Sequence, residues 1–294
     1  MLAVLLLVST IFLNVFSTVL TKKFQLSVKN NIPTMLMMNL VNGIFGCVYF
    51  LFLCKFNIQM NFTTFAFSFG YAMIVFNSLV ISVVALSKMS IPVKAVVGML
   101  GSVLGSVVVG RIFFDEKIAA NSVLAILFLF AAVIAPYIKN DELKMGKNPL
   151  GVCIWLFLTF AVSSVYLKFY TENPNSLDAN NMFFMTNFIC LIICALIVII
   201  YMITKKQYRN NMFNAIGTKH IANIGLRTAL SNISAIITVF IISVMDVSVY
   251  TVLTSSLGLI AGVLVSRLIF CEELTWKNYV SVAFAVISVV LQAL

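Results

Sequence analysis

The sequence predicts an all-α integral membrane protein whose ten transmembrane helices form two inverted five-helix repeats. Three observations lead there. The 294 residues are 62% hydrophobic and only 10% charged, with a mean hydropathy of +1.10, whereas a soluble domain is about half apolar and about a quarter charged. Apolar runs long enough to cross about 30 Å of hydrocarbon recur along the whole chain. Two distant stretches, 98-GMLGSVLGSVVVGRIFFDE-116 and 254-TSSLGLIAGVLVSRLIFCE-272, share one pattern of small residues and one charged ending.

Breaking the runs at charges, Pro and Asn gives ten segments. The first, 2–20, starts without a basic lead-in or a small-residue cleavage site, so it reads as a span rather than a signal peptide. It stops before Lys22 and Lys23. The second, 32–54, stops at Lys55, and the third, 63–86, stops before Lys88. The fourth, 91–114, contains Pro92 near its start and ends at Asp115 and Glu116. The fifth, 118–138, runs up to the charged loop 139-KNDELKMGKNP-149. That loop is the natural linker, so the expected division is a first repeat over 1–138, a linker over 139–148 and a second repeat over 149–294. The sixth and seventh segments, 149–169 and 181–203, lie before Glu172 and Lys205. The eighth, 219–243, and ninth, 247–270, flank Asp246, and the tenth, 275–293, follows Glu272 and Glu273. All are expected to be helices, because an open sheet leaves backbone groups unpaired in lipid.

Sliding the chain by 156 positions lays Ser87 on Ser243, Met89 on Met245, Val93 on Val249, Arg111 on Arg267, Phe114 on Phe270 and Glu116 on Glu272. Leu294 then falls on Ile138, where segment five closes. Five crossings per copy is an odd number, so the second copy enters the membrane upside down, the arrangement of many transporters. Four-residue spacing puts Gly98, Ser102, Ser106 and Gly110 on one helical stripe, and likewise Thr254, Gly258, Gly262 and Ser266. Small side chains let backbones approach where lipid supplies no hydrophobic force. Segments four and nine are therefore expected to pack, against each other, through these positions.

The paired endings RIFFDEKI and RLIFCEEL resemble the drug/metabolite transporter superfamily, particularly its EamA-like members. The resemblance implies ten helices in two inverted halves, with the fourth and ninth ending in a Glu-containing turn. It covers the chain in architecture and about two windows of twenty residues in motif. Some positions depart from the family's pattern. The Gly that often precedes its Glu is Asp115 in one copy and Cys271 in the other, and its mid-helix Pro is Val103 and Leu259. The first-helix Glu by which small multidrug relatives couple protons has no counterpart; Asn14, Ser17 and Thr18 are among the uncharged polar residues there. The stretch 182-MFFMTNF-188 faintly resembles nucleotide-sugar transporters, but 254-TSSLGLI-260 lacks the lysine of their ninth-helix signature.

Ionisable groups inside a membrane are costly and mark function. All nine acids fall at segment ends or in loops, which weighs against a proton-coupled exporter of cations. Two cations enter apolar runs. Arg227 lies in 221-IANIGLRTALSNISAIITVF-240, where Asn223, Arg227, Ser231, Ser234 and Thr238 align on one face; Lys94 follows Pro92 in segment four. Each has two readings: snorkelling to the interface, or reaching a wet cavity where it would hold an anionic or zwitterionic solute. Tyr71, Asn77 and Ser78 form the counterpart set in segment three, Tyr250 is the repeat-mate of Lys94, and Asn14 completes the candidate binding residues.

The net charge of +10 forms no basic stripe interleaved with aromatics, so no nucleic-acid partner is expected. No CxxC pair occurs among the six cysteines, and His220 is the single histidine, so neither a metal nor another cofactor is expected. The loops joining segments 1–2, 3–4, 5–6 and 7–8 hold most of the lysines, which places both termini outside a plasma (inner) membrane. The expected function is secondary active or facilitative transport of a small polar metabolite by alternating access, with membrane lipid as surroundings and a monomer or homodimer as assembly. A flippase for a lipid-linked substrate and a nucleotide-sugar-like exchanger are the alternatives. A membrane-embedded lipid enzyme lacks the clustered nucleophile, base or metal ligands it would need.

Overall fold

A computed structural model describes residues 2–27, 32–88, 91–117, 119–135, 150–204, 218–269, 271 and 276–293. Among the described residues there are ten helices and no strand: α1 Leu2–Ser27, α2 Ile32–Leu53, α3 Phe62–Lys88, α4 Ile91–Phe113, α5 Ala120–Ile134, α6 Leu150–Thr171, α7 Ala179–Thr204, α8 Thr218–Val244, α9 Val247–Leu268 and α10 Trp276–Ala293. Five apolar stretches are long enough to cross a membrane: Leu36–Leu53, Leu150–Thr171, Ala179–Ile200, His220–Val244 and Val247–Val265. Helix α1 runs on to Ser27, past Lys22 and Lys23. Lysines end an apolar run but not a helix, since Lys is a good helix former. The linker expected over 139–148 lies outside the described residues.

The chain gathers into two compact units, each drawing on both sides of that linker. The first comprises Met1–Ile11, Asn77–Glu172 and Phe240–Leu294; the second comprises Phe12–Phe76 and Asn173–Val239.

In the first unit α4 lies against α6. A Cβ on Gly101 would strike the carbonyl of Phe157, and one on Gly105 would come within 2.6 Å of Ala161 Cα, so these glycines let the two backbones touch. Ser164 Oγ adds a hydrogen bond to Ser102 O at 3.1 Å. Val103, Ala125, Ile126, Leu129, Val133 and Val252 form a buried core of α4, α5 and α9, with Leu259 and Leu291 packed on it. Ser106 and Thr251 share a hydroxyl hydrogen bond between α4 and α9. Helices α5 and α10 run antiparallel, pinned by Ser281 Oγ donating to Ala132 O at 2.5 Å and Ser288 Oγ donating to Ala125 O at 2.7 Å.

In the second unit α2 and α7 run antiparallel. Gly43 faces Leu191, and Gly46 leaves the space that Asn187 fills. Phe50 and Phe183 stack at 5.4 Å between ring centres. Helix α3 runs parallel to α7: Ser68 Oγ donates to Met182 O at 3.1 Å, and Cys190 Sγ donates to Ala72 O at 3.7 Å.

The small-residue stripes need correcting in their details. A Cβ added at Gly98 would make ordinary contact with the Phe160 ring at 3.5 Å, and closest approach is one position away from the stripe's Ser102 and Ser106, at Gly101 and Gly105. Where a Cβ would stand on Gly258 or Gly262 nothing lies within 4 Å among the described atoms, so a small side chain added there meets open space. The Ser266 side chain lies outside the described residues. Overpacking a close helix crossing costs about 1–3 kcal/mol. Gly105→Leu is therefore expected to lower the melting temperature in detergent, while Gly262→Ala does not; equal losses at both would contradict this packing.

Candidate functional site

Helix α8 carries the polar stripe, and within the second unit its neighbours are α1 and α2. Ser234 Oγ donates to Asn14 Oδ1 at 2.9 Å, and Asn223 Nδ2 donates to Leu20 O at 3.4 Å. The pairing of 14 with 234 and 20 with 223 makes α1 and α8 antiparallel. On the other flank Thr228 Oγ1 donates to Asn42 Oδ1 at 2.6 Å, and Gly225 admits the Phe45 ring, which would stand 3.0 Å from an added Cβ. Asn42 and Thr228 escaped the sequence reading, although an Asn within an apolar run is itself a signal.

Arg227 lies nine residues into α8, roughly 14 Å along its axis at 1.5 Å per residue. Its Nη1 reaches Met38 Sδ of α2 at 3.8 Å, and its Nε is buried with no hydrogen-bond partner. The guanidinium thus packs against α2 instead of turning outward, and among the described residues no carboxylate pairs with it. One turn earlier, Asn223 Oδ1 is also buried without a partner. Asn232 Nδ2 is the third such atom on α8, but it sits on the flank shared with Gly225 and Thr228, off the stripe.

Exposure distinguishes the two sides of these helices. On α8, Leu226 and Phe240 are exposed apolar residues, and Ser231, also exposed, projects from the roughly opposite side at about 100° per residue. On α1, Phe12 and Phe16 are exposed apolar residues, and Asn14 and Thr18 are exposed on the opposite side. Each helix has one oily exposed face and one open polar face. The polar faces share the Asn14–Ser234 hydrogen bond, and together with Arg227 and Asn223 they form a candidate site whose chemistry suits a negative charge and one hydrogen-bond donor.

The other expected residues are placed differently. Tyr71 is half-buried in the second unit, edge-on to Phe183 at 6.2 Å. Asn77 and Ser78 belong to the first unit. There the Asn77 amide is committed to α6: it accepts from Trp155 Nε1 at 3.1 Å and donates to Thr159 Oγ1 at 2.8 Å. Tyr250 is half-buried in the first turn of α9, also in the first unit. The Lys94 side chain lies outside the described residues.

The Glu-containing turn after α4 has a separate job. Asp115 takes φ 49°, a left-handed conformation that Gly adopts without cost and Asp tolerates. It swings Glu116 back into the space left by Gly110. The carboxylate, 5% exposed, accepts Val247 N–H at 2.7 Å, Ser248 N–H at 3.2 Å and Ser248 Oγ–H at 2.5 Å. An anion thereby caps the N-terminus of α9, where the helix dipole favours it. Across the same turn Lys168 Nζ donates to Ile242 O near the C-terminus of α8 at 2.8 Å and pairs with Glu172 at 3.0 Å. Each charge sits at the helix end that suits its sign.

Asp246, the residue before α9, makes no side-chain cap hydrogen bond because Glu116 occupies the amides. Burial, and then repulsion from Glu116, hold its carboxyl above the ordinary value against an opposing pull from Lys168. A folded pKa above the unfolded one means this group's contribution to stability is complete below the unfolded pKa and is lost as pH rises through the folded one. Asp246→Asn is accordingly expected to raise the melting temperature at neutral pH, with the gain shrinking to nothing in acid. A loss at neutral pH would contradict this assignment.

No family model matches the chain, and no curated protein does. Among solved structures it is similar to one described as the crystal structure of a protein, with a TM-score of 0.71 and 14% identity over 98% of this chain and 95% of that one. At that identity the likeness carries the fold alone.

Proposed function

We propose that this protein is a multi-pass transporter of the drug/metabolite superfamily, with ten spans in two inverted five-helix repeats. It moves a small polar solute carrying negative charge by alternating access, and residues 1–138 and 149–294 are the two copies. The observation that carries the transport reading is Arg227: a guanidinium inside an apolar helix, without a carboxylate partner among the described residues, on a helix face that opens at Ser231. A buried cation left unpaired is expensive, and a solute anion offsets that cost when bound.

Two features support the inverted repeat. Asp115 and Cys271 lie 156 positions apart, and both take left-handed φ, 49° and 51°. The hydrogen bonds Ser281–Ala132 and Ser288–Ala125 also exchange under that offset, since 125 maps to 281 and 132 to 288. A contact that maps onto itself when the copies are swapped is what a two-fold axis relating them would produce. Ten alternating crossings agree with the pairings inside each unit. Pairs of one odd and one even helix (α1 with α8, α2 with α7, α5 with α10) run antiparallel, and the odd pair α3 and α7 runs parallel. None of the described acids lies within a helix, so uniport or exchange is favoured over coupling through a membrane carboxylate. The localisation that follows is a plasma membrane with both termini outside.

The test is solute-dependent stabilisation of the purified protein, and uptake into proteoliposomes, over a panel of small anions and zwitterions. At least one is expected to bind and cross, and Arg227→Ala is expected to weaken it tenfold or more, about 1.4 kcal/mol. Silence across the panel, or an unaffected Arg227→Ala, would overturn the proposal.

A further inference from the structure

The reading above leaves the solute's charge open between an anion and a zwitterion. Resting on that reading, we infer that the site selects hydroxylated organic anions, such as 2-hydroxycarboxylates, and rejects the corresponding amino acids.

The charge distribution is the first ground. The chain of the second unit contains nine Lys and Arg against a single acid, Asp178. The first unit is nearly balanced, with ten against eight. Almost all of the chain's positive excess therefore belongs to the unit that holds Arg227. Asp178 stands just before α7, exposed, with Oδ2 accepting the Asn180 amide at 2.7 Å. None of the described acids lies within a helix, so no described helix carries a carboxylate at the level of Arg227.

The acceptor inventory is the second ground. An ammonium brings three N–H donors and a full positive charge. It needs a carboxylate or several open carbonyl oxygens, and it repels a guanidinium a few ångströms away. Asn14 Oδ1 already accepts from Ser234, Asn42 Oδ1 from Thr228, and Leu20 O from Asn223. Without any partner among the described residues is Asn223 Oδ1, a buried acceptor, one turn from the buried and unpartnered Nε–H of Arg227. The two side chains are one turn apart on one face, the spacing at which helical side chains are neighbours. One unpaired cationic donor and one unpaired neutral acceptor complement a carboxylate and a single hydroxyl. Three ammonium protons would find one unpartnered buried acceptor and, among the described residues, no counter-charge.

The experiment compares matched solutes on the full-length protein in proteoliposomes, by competition for uptake and by thermal stabilisation. The sets are lactate, alanine and propionate, then malate, aspartate and succinate, extended to longer skeletons of the same three kinds. The hydroxy acid is expected to bind at least tenfold more tightly than the amino acid of the same skeleton. Asn223→Ala is expected to erase the preference for the hydroxy over the unsubstituted acid while the carboxylate still binds. Equal or tighter binding of the amino acids would overturn this inference and leave the transport proposal standing. A wild-type preference that Asn223→Ala leaves intact would overturn the hydroxyl assignment. Failure of every solute in every set would overturn the transport proposal and this inference with it.

Discussion

Where a chain is this apolar, every polar group must find its partner within the protein, because hydrocarbon offers none. The structure follows that constraint nearly everywhere. Hydroxyls in the helices return to their own carbonyls, as Thr10 does to Leu7 and Thr254 does to Tyr250, or tie one helix to the next, as Ser281 and Ser288 do. Asn77 and Asn42 each have both a place in a helix and a partner on another. Among the described residues only five buried side-chain atoms lack a hydrogen bond, and three of them are on α8. Two of those, on Asn223 and Arg227, stand together. Buried polar atoms without partners are rare enough in native interiors that such a pair calls for an explanation, and the proposed solute supplies one.

The ends of the helices obey the same logic with charges. At the turn between α8 and α9, the Ile242 carbonyl and the Val247 and Ser248 amides would otherwise lack these partners. Lys168 of α6 and Glu116 of the turn after α4 meet them, each at the dipole end that matches its sign. The positive φ at Asp115 is what aims Glu116. The turn after α4 is thus a device for joining helix ends within the first unit, whereas the polar faces of α1 and α8 belong to the second.

Much of this was legible in the sequence. Ten apolar runs became ten helices because run length and composition alone decide whether a segment can be helical in lipid. The 156-residue offset reappears in Asp115 and Cys271, two non-glycine residues in the same left-handed bend, where the sequence showed only departures from a family glycine. The polar stripe on α8 was visible from its spacing, since helical periodicity fixes which residues share a face.

What spacing does not encode is the neighbour. The stripes on α4 and α9 look alike in sequence, yet α4 meets α6 one position off its stripe and Gly258 and Gly262 meet no described atom. Met38, Asn42 and Thr228 were missed for the same reason, because their importance comes from α2 lying beside α8. Asn77 has the residue type of a ligand but is committed to Trp155 and Thr159, a contact across 78 and 82 positions that no local pattern announces.

The account stands on the polar face of α8 being wet while its apolar face is not. Cysteine accessibility in native membranes measures that directly, with the labelling of the wild-type cysteines subtracted. A charged, membrane-impermeant thiol reagent should modify Ser231→Cys and leave Leu226→Cys untouched, one turn and a half-turn of face away. Modification of Leu226→Cys with Ser231→Cys silent would mean that the face bearing Arg227 is dry, and the guanidinium would have no solute to meet.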